Sequence, residues 1–175
     1  TTGGALQWLA ENVLGDAPDR VGVRLATLED AARDLPPGAD GLLGIPSLIG
    51  ERAPFWDPRM RGAFVGLGLQ HRTAHLYRAL VEGAAFLLAM HLDALGDAGV
   101  TIDTLLLAGG GSRSRLACQI RSDVCGRPVS ICPVPQTTAL GAAILAATAS
   151  GYYAGPAEAS GAMGQKGETL GMTPG

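Results

Sequence analysis

The chain has 175 residues, of which 47% are hydrophobic and 17% are charged. This length and apolar content suit one domain with a real core, or one large part of a two-domain protein, and exclude a disordered tail. The formal net charge of −3 gives no excess of basic residues for nucleic acid or an anionic membrane surface. The sequence therefore predicts a globular domain with neither of these partners.

Cysteine usage and apolar runs bear on cellular location. The three cysteines, Cys118, Cys125 and Cys132, are an odd number at an even spacing that matches no common metal motif. We expect free thiols in a reducing cytosol. The three histidines lack metal-ligand spacing, so no metal site is predicted. No apolar run long enough to span a bilayer and no charged leader are recognised, which favours a cytoplasmic protein.

The first part of the chain predicts helices followed by short strands. An amphipathic helix begins at Ala5, and a short helix over 27–34 ends before Pro36-Pro37-Gly38, which cannot continue it. Residues 41–50 predict a short strand and a loop, and residues 63–69 predict another short strand. No initiator Met and no strand precede the first helix, so we expect the chain to start inside a larger protein.

Residues 51–62 combine proline, aromatic and charged side chains, which predicts an ordered loop with little regular structure. We expect Glu51 and Arg52 to pair with the backbone and with each other, because irregular loops need partners for their backbone groups. Trp56 is expected to anchor the loop by packing. Asp57, which precedes a proline, is expected to form a turn.

The second part of the chain alternates helix and strand. Leucines at helical spacing predict a long helix over 73–95, with its first residue as the N-cap. Strands are predicted over 104–108 and 128–132, and helices over 114–125 and 135–150. This alternation indicates a layered α/β domain with parallel strand pairing. The last helix is rich in alanine and glycine, which would let another element pack close to its backbone.

Three titratable residues on these helices are expected to have structural roles. His75 is expected to cap or pair at the start of the long helix. Glu82 lies in the middle of that helix; it could face a cleft, but a solvated or buried pairing role is the default. Asp123 lies in the helix after the triple glycine and is expected to act structurally and not in catalysis.

A buried strand is followed directly by Gly109-Gly110-Gly111-Ser112 and then by a helix. Glycine lets a ligand approach the main chain, and a helix N-terminus offers free N–H groups and a positive dipole end. Together these favour a phosphate or the face of a flat base. The turn is neither a Walker A loop nor a Rossmann fingerprint. A tight strand-to-helix turn without a ligand therefore remains an alternative.

Four segments resemble, in order and spacing, the FGGY family of carbohydrate kinases, whose members phosphorylate xylulose, gluconate, glycerol, ribulose and related polyols. The first is the Gly-Glu-Arg…Pro…Trp…Pro…Arg-Gly stretch at 50–62, and the second is Gly-Ala-Phe-Val-Gly-Leu followed by His-Leu and Glu-Gly pairs, at 62–83. The third is the triple glycine followed by Gln-Ile and Asp, at 108–123. The fourth is the Pro-Val strand followed by the Thr-Ala-Leu-Gly-Ala-Ala helix, at 128–143. The order and spacing of the four are more specific than any one of them.

The resemblance implies an actin-like ATPase fold (ribonuclease H-like): two similar α/β domains with the active site in the cleft between them. It identifies residues 1–154 as a partial C-terminal, nucleotide-binding domain and residues 155–175 as an outer segment. The chain is thus expected to be a truncated C-terminal half. The intact protein is expected to transfer the γ-phosphate of ATP, with Mg²⁺, to a hydroxyl of a small sugar or polyol.

By the same resemblance, Gly110 and Gly111 would pack on the nucleotide, within the turn that starts at Gly109. Ser114 aligns with a polar residue that borders the adenine pocket, and Ser112 and Arg115 are further neighbours. The family's general-base Asp and its Thr- and Gly-rich phosphate hairpin lie N-terminal to the matched region. No catalytic residue is therefore assigned here, and the chain alone is expected to be inactive because phosphoryl transfer needs both sides of the cleft.

Several alternatives stay open at this stage. Xylulose-like ketopentoses are favoured as the substrate and gluconate comes next. A non-catalytic nucleotide-binding or interaction module that keeps the actin-like core is the alternative function. The expected partners are the sugar and the N-terminal kinase domain. A sheet without its first strands would also expose an apolar edge, so we expect this chain to form a homodimer or to meet a covering partner.

Overall fold

A computed structural model describes residues 2–54, 56–134, 136–164 and 167–174. Its helices and strands, in chain order, are α1 (Thr2–Trp8), α2 (Val21–Arg33), β1 (Leu43–Ile45), β2 (Ala63–Val65), α3 (Thr73–Asp97), β3 (Leu105–Leu107), α4 (Arg115–Cys125), β4 (Val129–Ile131), α5 (Thr137–Ala149), α6 (Pro156–Met163) and β5 (Thr169–Leu170). A π-helical turn, Leu9–Val13, continues α1. The predicted alternation of helix and strand after residue 73 is confirmed.

The strands form two small sheets. β1 and β2 pair antiparallel, with Gly44 opposite Phe64. β3 and β4 pair parallel, with Leu106 opposite Ser130, as the alternation predicts. β5 adds antiparallel to the other side of β4, so the order in the second sheet is β3-β4-β5. The segment after residue 154 thus contributes a helix and a sheet strand.

Helix α3 is the centre of the main core. Tyr77, Leu80 and Val81 are almost completely buried on it, and they pack with Leu9 and Ile120 from the π-helical turn and α4. A second apolar cluster lies beneath β3 and β4 and includes the buried thiols of α4. The N-cap of α3 is the residue at position 72 and not the predicted position 73, and His75 reaches back to the backbone N–H of that residue at 3.0 Å.

Two glycines let α3 lie directly on β1. A β-carbon built at Gly83 would fall on the carbonyl oxygen of Gly44, and one built at Gly44 would lie 2.6 Å from the carbonyl carbon of Ala79. No L side chain fits either position without moving backbone, since real β-carbons do not approach so closely. This contact fixes the distance between the long helix and the first sheet.

A buried ion pair ties α3 to the segment that follows α2. Arg78 Nε donates to Glu82 Oε1 at 2.7 Å, and both side chains are 7% exposed. Arg78 also donates to the carbonyl oxygen of Ala32 (3.1 Å), and the backbone N–H of Gly38 donates to Glu82 (3.1 Å). The expected pairing role of Glu82 is confirmed, and every charge in this network has a partner, as burial requires.

Three other expected pairings are found at loops and helix ends, the third of them only through a backbone N–H. His75 Nε2 lies 3.1 Å from Asp40 Oδ2, so His75 both caps α3 and pairs across to the preceding loop. Asp57 Oδ1 accepts from the backbone N–H of Arg59 at 2.8 Å, which closes the turn expected there. Glu51 binds the backbone N–H of Arg52 at 3.1 Å, so the pair meets through the main chain.

The structure corrects three expectations about packing and hydropathy. Trp56 is 80% exposed and does not anchor its loop, because backbone bonds between Glu51 and Asp57 (3.0 Å) hold the loop instead. The short helix predicted over 27–34 is α2, which begins at Val21. Helix α3 is long and apolar enough to meet the criteria for a membrane span, although the sequence analysis recognises no such run. Its buried ion pair and its core contacts mark it as a core helix.

The outer face of the second sheet and of α5 is open. Leu106 on β3 is 70% exposed, and Leu145 on α5 is 62% exposed. None of the described residues of α5 is buried, so its small side chains do not receive the close packing that their composition suggested. Within the described ranges, no strand pairs with the free edge of β3. Self-association through this edge stays a prediction.

The glycine contact gives a stability prediction with a control in the same helix. We expect Gly83→Ala to lower the free energy of unfolding by about 1–3 kcal/mol, the usual cost of overpacking, because its methyl group would force α3 away from β1. Gly96→Ala adds a methyl where nothing lies within 4 Å. It should be neutral or stabilising, by up to about 1 kcal/mol, because alanine favours helix. Urea unfolding measures both, and equal stabilities would contradict the packing.

The buried ion pair gives a second prediction. We expect Glu82→Ala to cost about 3–5 kcal/mol of stability, because it leaves the Arg78 guanidinium buried without its counter-charge. The matched control is Asp30→Ala, which breaks the exposed pair between Arg33 and Asp30 (3.0 Å). That control should change stability little, because exposed ion pairs contribute little. Chemical denaturation of both variants is the measurement, and a loss of equal size in both would refute the role given to Glu82.

Candidate functional site

The triple glycine forms a tight turn between β3 and α4. Gly109 has φ +75°, a left-handed backbone conformation that favours glycine. A 3₁₀ turn follows at Gly110–Ser112, and the Ser112 hydroxyl donates to the carbonyl oxygen of Gly109 at 2.8 Å. A β-carbon at Gly110 would meet nothing within 4 Å. The outer side of this turn is therefore open to a ligand.

The N-terminus of α4 is already occupied by the protein's own side chains. Ser114 is the N-cap, and its hydroxyl accepts from the backbone N–H of Ala117 at 3.0 Å. The backbone N–H of Leu116 donates to Glu29 Oε1 of α2 at 3.1 Å. The sequence suggested free N–H groups here for a phosphate. The structure shows instead that a hydroxyl and a carboxylate satisfy them, which leaves the glycine turn as the open surface.

A cavity of about 460 Å³ lies beside this turn. It is lined by residues of α1, α2, α3, the glycine turn and α4. Its lining consists of Gly3, Leu6, Gly22, Leu25, Ala26, Glu29, Tyr77, Val81, Gly110, Gly111, Arg113, Ser114, Ala117 and Arg121. A concave, mainly apolar site with a few polar groups is the usual form of a small-molecule site.

The walls of the cavity suit a flat ring system. Leu6, Leu25 and Val81 supply apolar surface, and the glycines of the turn let a ring approach the main chain. A β-carbon at Gly111 would lie 3.9 Å from a guanidinium nitrogen of Arg121, so that side chain lies next to the turn. Apolar walls with a few polar groups can bind an aromatic base and fix its orientation.

Two buried groups at the cavity, Tyr77 in its wall and Cys118 behind the turn, stay uncharged. Burial raises the pKa of the Tyr77 phenol, and the nearby Ser114 hydroxyl opposes this in part. Burial likewise raises the pKa of the Cys118 thiol, which packs behind the turn. These side chains are therefore neutral at physiological pH. The charges of the cavity lining belong to Glu29, Arg113 and Arg121.

The structure brings some of the predicted site residues to the cavity and not others. Gly110, Gly111 and Ser114 line it. Gly109 sets the backbone of the turn, and Ser112 braces that backbone. Arg115 does not line the cavity: it forms an ion pair with Glu168 at 2.8 Å, and this hydrogen bond lowers the pKa of that carboxyl.

Most of the residues that the helices contribute to the cavity were not predicted from the sequence. Glu29, Tyr77 and Arg121 come from three different helices, and no local pattern singles them out. The hydrogen bond from the backbone N–H of Leu116 to Glu29 joins residues that are 87 positions apart in the chain. A signal existed only for Gly3 and Leu6, since the chain opens with a glycine pair that leads into an amphipathic helix.

The described residues offer no cluster for a metal ion. Among them, no group of three or more His, Cys, Asp or Glu side chains is arranged to hold one. Mg²⁺ prefers carboxylate oxygens, water and substrate phosphates. These residues therefore do not by themselves fit a Mg²⁺ site, and no step is assigned to the ion here.

Comparison with known proteins finds kinases of small carbohydrates and polyols. The chain is 38% identical over 157 residues to a glycerol kinase of Ralstonia pickettii, covering 89% of this chain and 30% of that protein. It matches the crystal structure of xylulose kinase from Rhodospirillum rubrum with a TM-score of 0.79 and 36% identity, covering 98% of this chain and 34% of that one. Gluconate kinase from Lactobacillus acidophilus matches with a TM-score of 0.77 and 26% identity, over 98% and 34%.

These matches define the fold and the extent of the chain. The chain spans about a third of the length of the relatives it matches. Its fold is that of the C-terminal domain of these sugar kinases, which belongs to the actin-like ATPase class. Residues 1–150 match the sequence profile of the FGGY family of carbohydrate kinases, C-terminal domain. The chain therefore belongs to the FGGY family of carbohydrate kinases and carries its C-terminal domain.

Proposed function

We propose that the intact protein is a cytoplasmic, ATP-dependent kinase that transfers the γ-phosphate of ATP to a hydroxyl of a small sugar or polyol. Within it, this chain binds the adenosine part of the nucleotide. The observation that carries the proposal is the cavity beside the triple glycine, where Gly110, Gly111 and Ser114 face apolar walls from three helices. Family membership supports the same reading.

The residues that line the cavity support a placement of the nucleotide with its base at the inner end of the cavity and its phosphates at the outer end. The base packs between Leu6 and Leu25 on one side and the glycine turn on the other. The phosphates extend past Gly110 toward the exposed guanidinium of Arg113, which provides positive charge where the phosphate charge lies. The chain thereby orients the leaving group of the reaction, and orientation is a large part of phosphoryl-transfer catalysis.

The general base and the acceptor site are proposed to lie in the N-terminal domain of the intact protein. The chain covers 30% of the R. pickettii glycerol kinase, so most of a relative's length is outside it. Mg²⁺ that accompanies the nucleotide would supply positive charge against the phosphates. We propose that this chain alone binds nucleotide and does not phosphorylate a substrate.

We expect Gly110→Val to abolish or weaken ADP binding. The valine side chain would project into open space beside the turn, so it should block the ligand without disturbing the fold. A loss of tenfold or more in affinity, which is about 1.4 kcal/mol or more, is expected by calorimetric titration with ADP. The control is Gly161→Val in α6, where nothing lies within 4 Å either. ADP affinity that is equal in both variants would contradict the site.

The acceptor is proposed to be glycerol or xylulose. The chain is 38% and 36% identical to kinases of these two compounds, and 26% identical to a gluconate kinase. The test is kcat/KM of the full-length protein with ATP and each of the three acceptors. We expect turnover with glycerol or xylulose to exceed turnover with gluconate. An absence of acceptor-dependent ATP consumption with all three would refute the proposal.

A further inference from the structure

The charged side chains of the cavity lining differ in their exposure to solvent. Arg113 is exposed, whereas Glu29 and Arg121 are half-buried. Arg121 lies next to the turn and donates to the carbonyl oxygen of Ala117 at 3.0 Å. The most exposed charge of the lining is therefore a cation, and the carboxylate of Glu29, the one acidic group among the described lining residues, is less exposed.

That carboxylate sits where a helix would otherwise attract an anion. The N-terminus of an α-helix carries a positive partial charge and unpaired N–H groups, and phosphate binds readily there. In this chain Glu29 Oε1 accepts from the backbone N–H of Leu116 (3.1 Å), and Ser114 accepts from that of Ala117 (3.0 Å). The start of α4 is thus filled by an internal anion and a hydroxyl.

The internal anion gives the two ends of the cavity opposite preferences. A polyphosphate that entered first would meet the Glu29 carboxylate at short range in a partly desolvated site, where like charges repel strongly. An uncharged base meets no such penalty, and the carboxylate can accept hydrogen bonds from amino or ring N–H groups. The rim, with Gly110 and Arg113, has no opposing carboxylate among the described lining residues.

We propose that Glu29 is a specificity-determining residue that excludes phosphate groups from the inner end of the cavity, so that a nucleotide enters base first. The inference rests on the proposed function, because it concerns the orientation of the same nucleotide. If the charge of Glu29 were removed, the cavity lining would keep two guanidinium groups and a helix N-terminus, which is the composition of an anion site. Glu29 is not placed near the reacting atoms and takes no part in the chemical step.

The test is a calorimetric titration of the full-length protein with tripolyphosphate, adenosine and ADP. We expect Glu29→Gln, which keeps the size of the side chain and an acceptor for Leu116, to bind tripolyphosphate about tenfold more tightly than the wild type. Adenosine affinity should change much less. If Glu29 had a purely structural role, the variant would lose affinity for all three ligands together, and the affinities for tripolyphosphate and adenosine would not change in different directions.

Two variants control for loss of charge and for misfolding. Glu158→Gln removes a carboxylate that also accepts a backbone N–H, from Ala154 at 2.8 Å, but lies in α6 away from the cavity. It should leave tripolyphosphate affinity at the wild-type value. Glu29→Asp keeps the negative charge and should give no gain in tripolyphosphate affinity.

The outcomes separate this inference from the function on which it rests. ADP binding that survives, with no gain of tripolyphosphate affinity in Glu29→Gln, overturns the role of Glu29 and leaves the nucleotide site standing. A wild-type protein that binds neither ADP nor adenosine overturns both. An equal gain in Glu29→Gln and Glu158→Gln also overturns the role of Glu29, because the effect would then come from net charge.

Discussion

The buried carboxylate of Glu82 is the constraint on which the rest of the structure depends. It accepts from Arg78 one helical turn away at 2.7 Å and from the backbone N–H of Gly38 at 3.1 Å. Arg78 in turn donates to the last turn of α2, at the carbonyl oxygen of Ala32. A buried charge is tolerated only with such partners, so the network holds α2, its following loop and α3 in one arrangement.

That arrangement shapes the cavity. Tyr77 and Val81 lie on α3 immediately beside Arg78 and Glu82 and form one wall. Because α2 is fixed to α3 at its C-terminal end, its Glu29 can reach the backbone N–H of Leu116 at the start of α4. The shape of the cavity therefore depends on the α2–α3 contact, which the buried ion pair stabilises. The glycine turn contributes the remaining open side.

The sequence predicts this fold where the signal is local. The long apolar periodicity of α3 and the strand before Gly109 are each predicted from one stretch of chain, and both elements are confirmed. The expected burial of that strand is wrong at Leu106, which is 70% exposed. β5 was not recognised because two residues, Thr169–Leu170, are too few to show a period. Trp56 was misjudged because hydrophobicity does not reveal that backbone bonds already hold its loop.

The candidate site divides in the same way. The glycine turn and Ser114 are predictable, since glycine runs and N-cap residues act on their own neighbours. Glu29 and Arg121 are not, because their position beside the turn depends on how α2 and α4 pack on α3. Sequence reasoning treated the start of α4 as free for a ligand, and only the tertiary contact reveals that Glu29 occupies it.

We expect the nucleotide to lie in the cavity between the glycine turn and the three helices. A crystal structure of the full-length protein with ADP tests this most directly. We expect density for the base between Leu6 and Gly110–Gly111, with the phosphates toward Arg113 and away from Glu29. A nucleotide bound outside this cavity, or bound with its phosphates against Leu116 and Ala117, would contradict it.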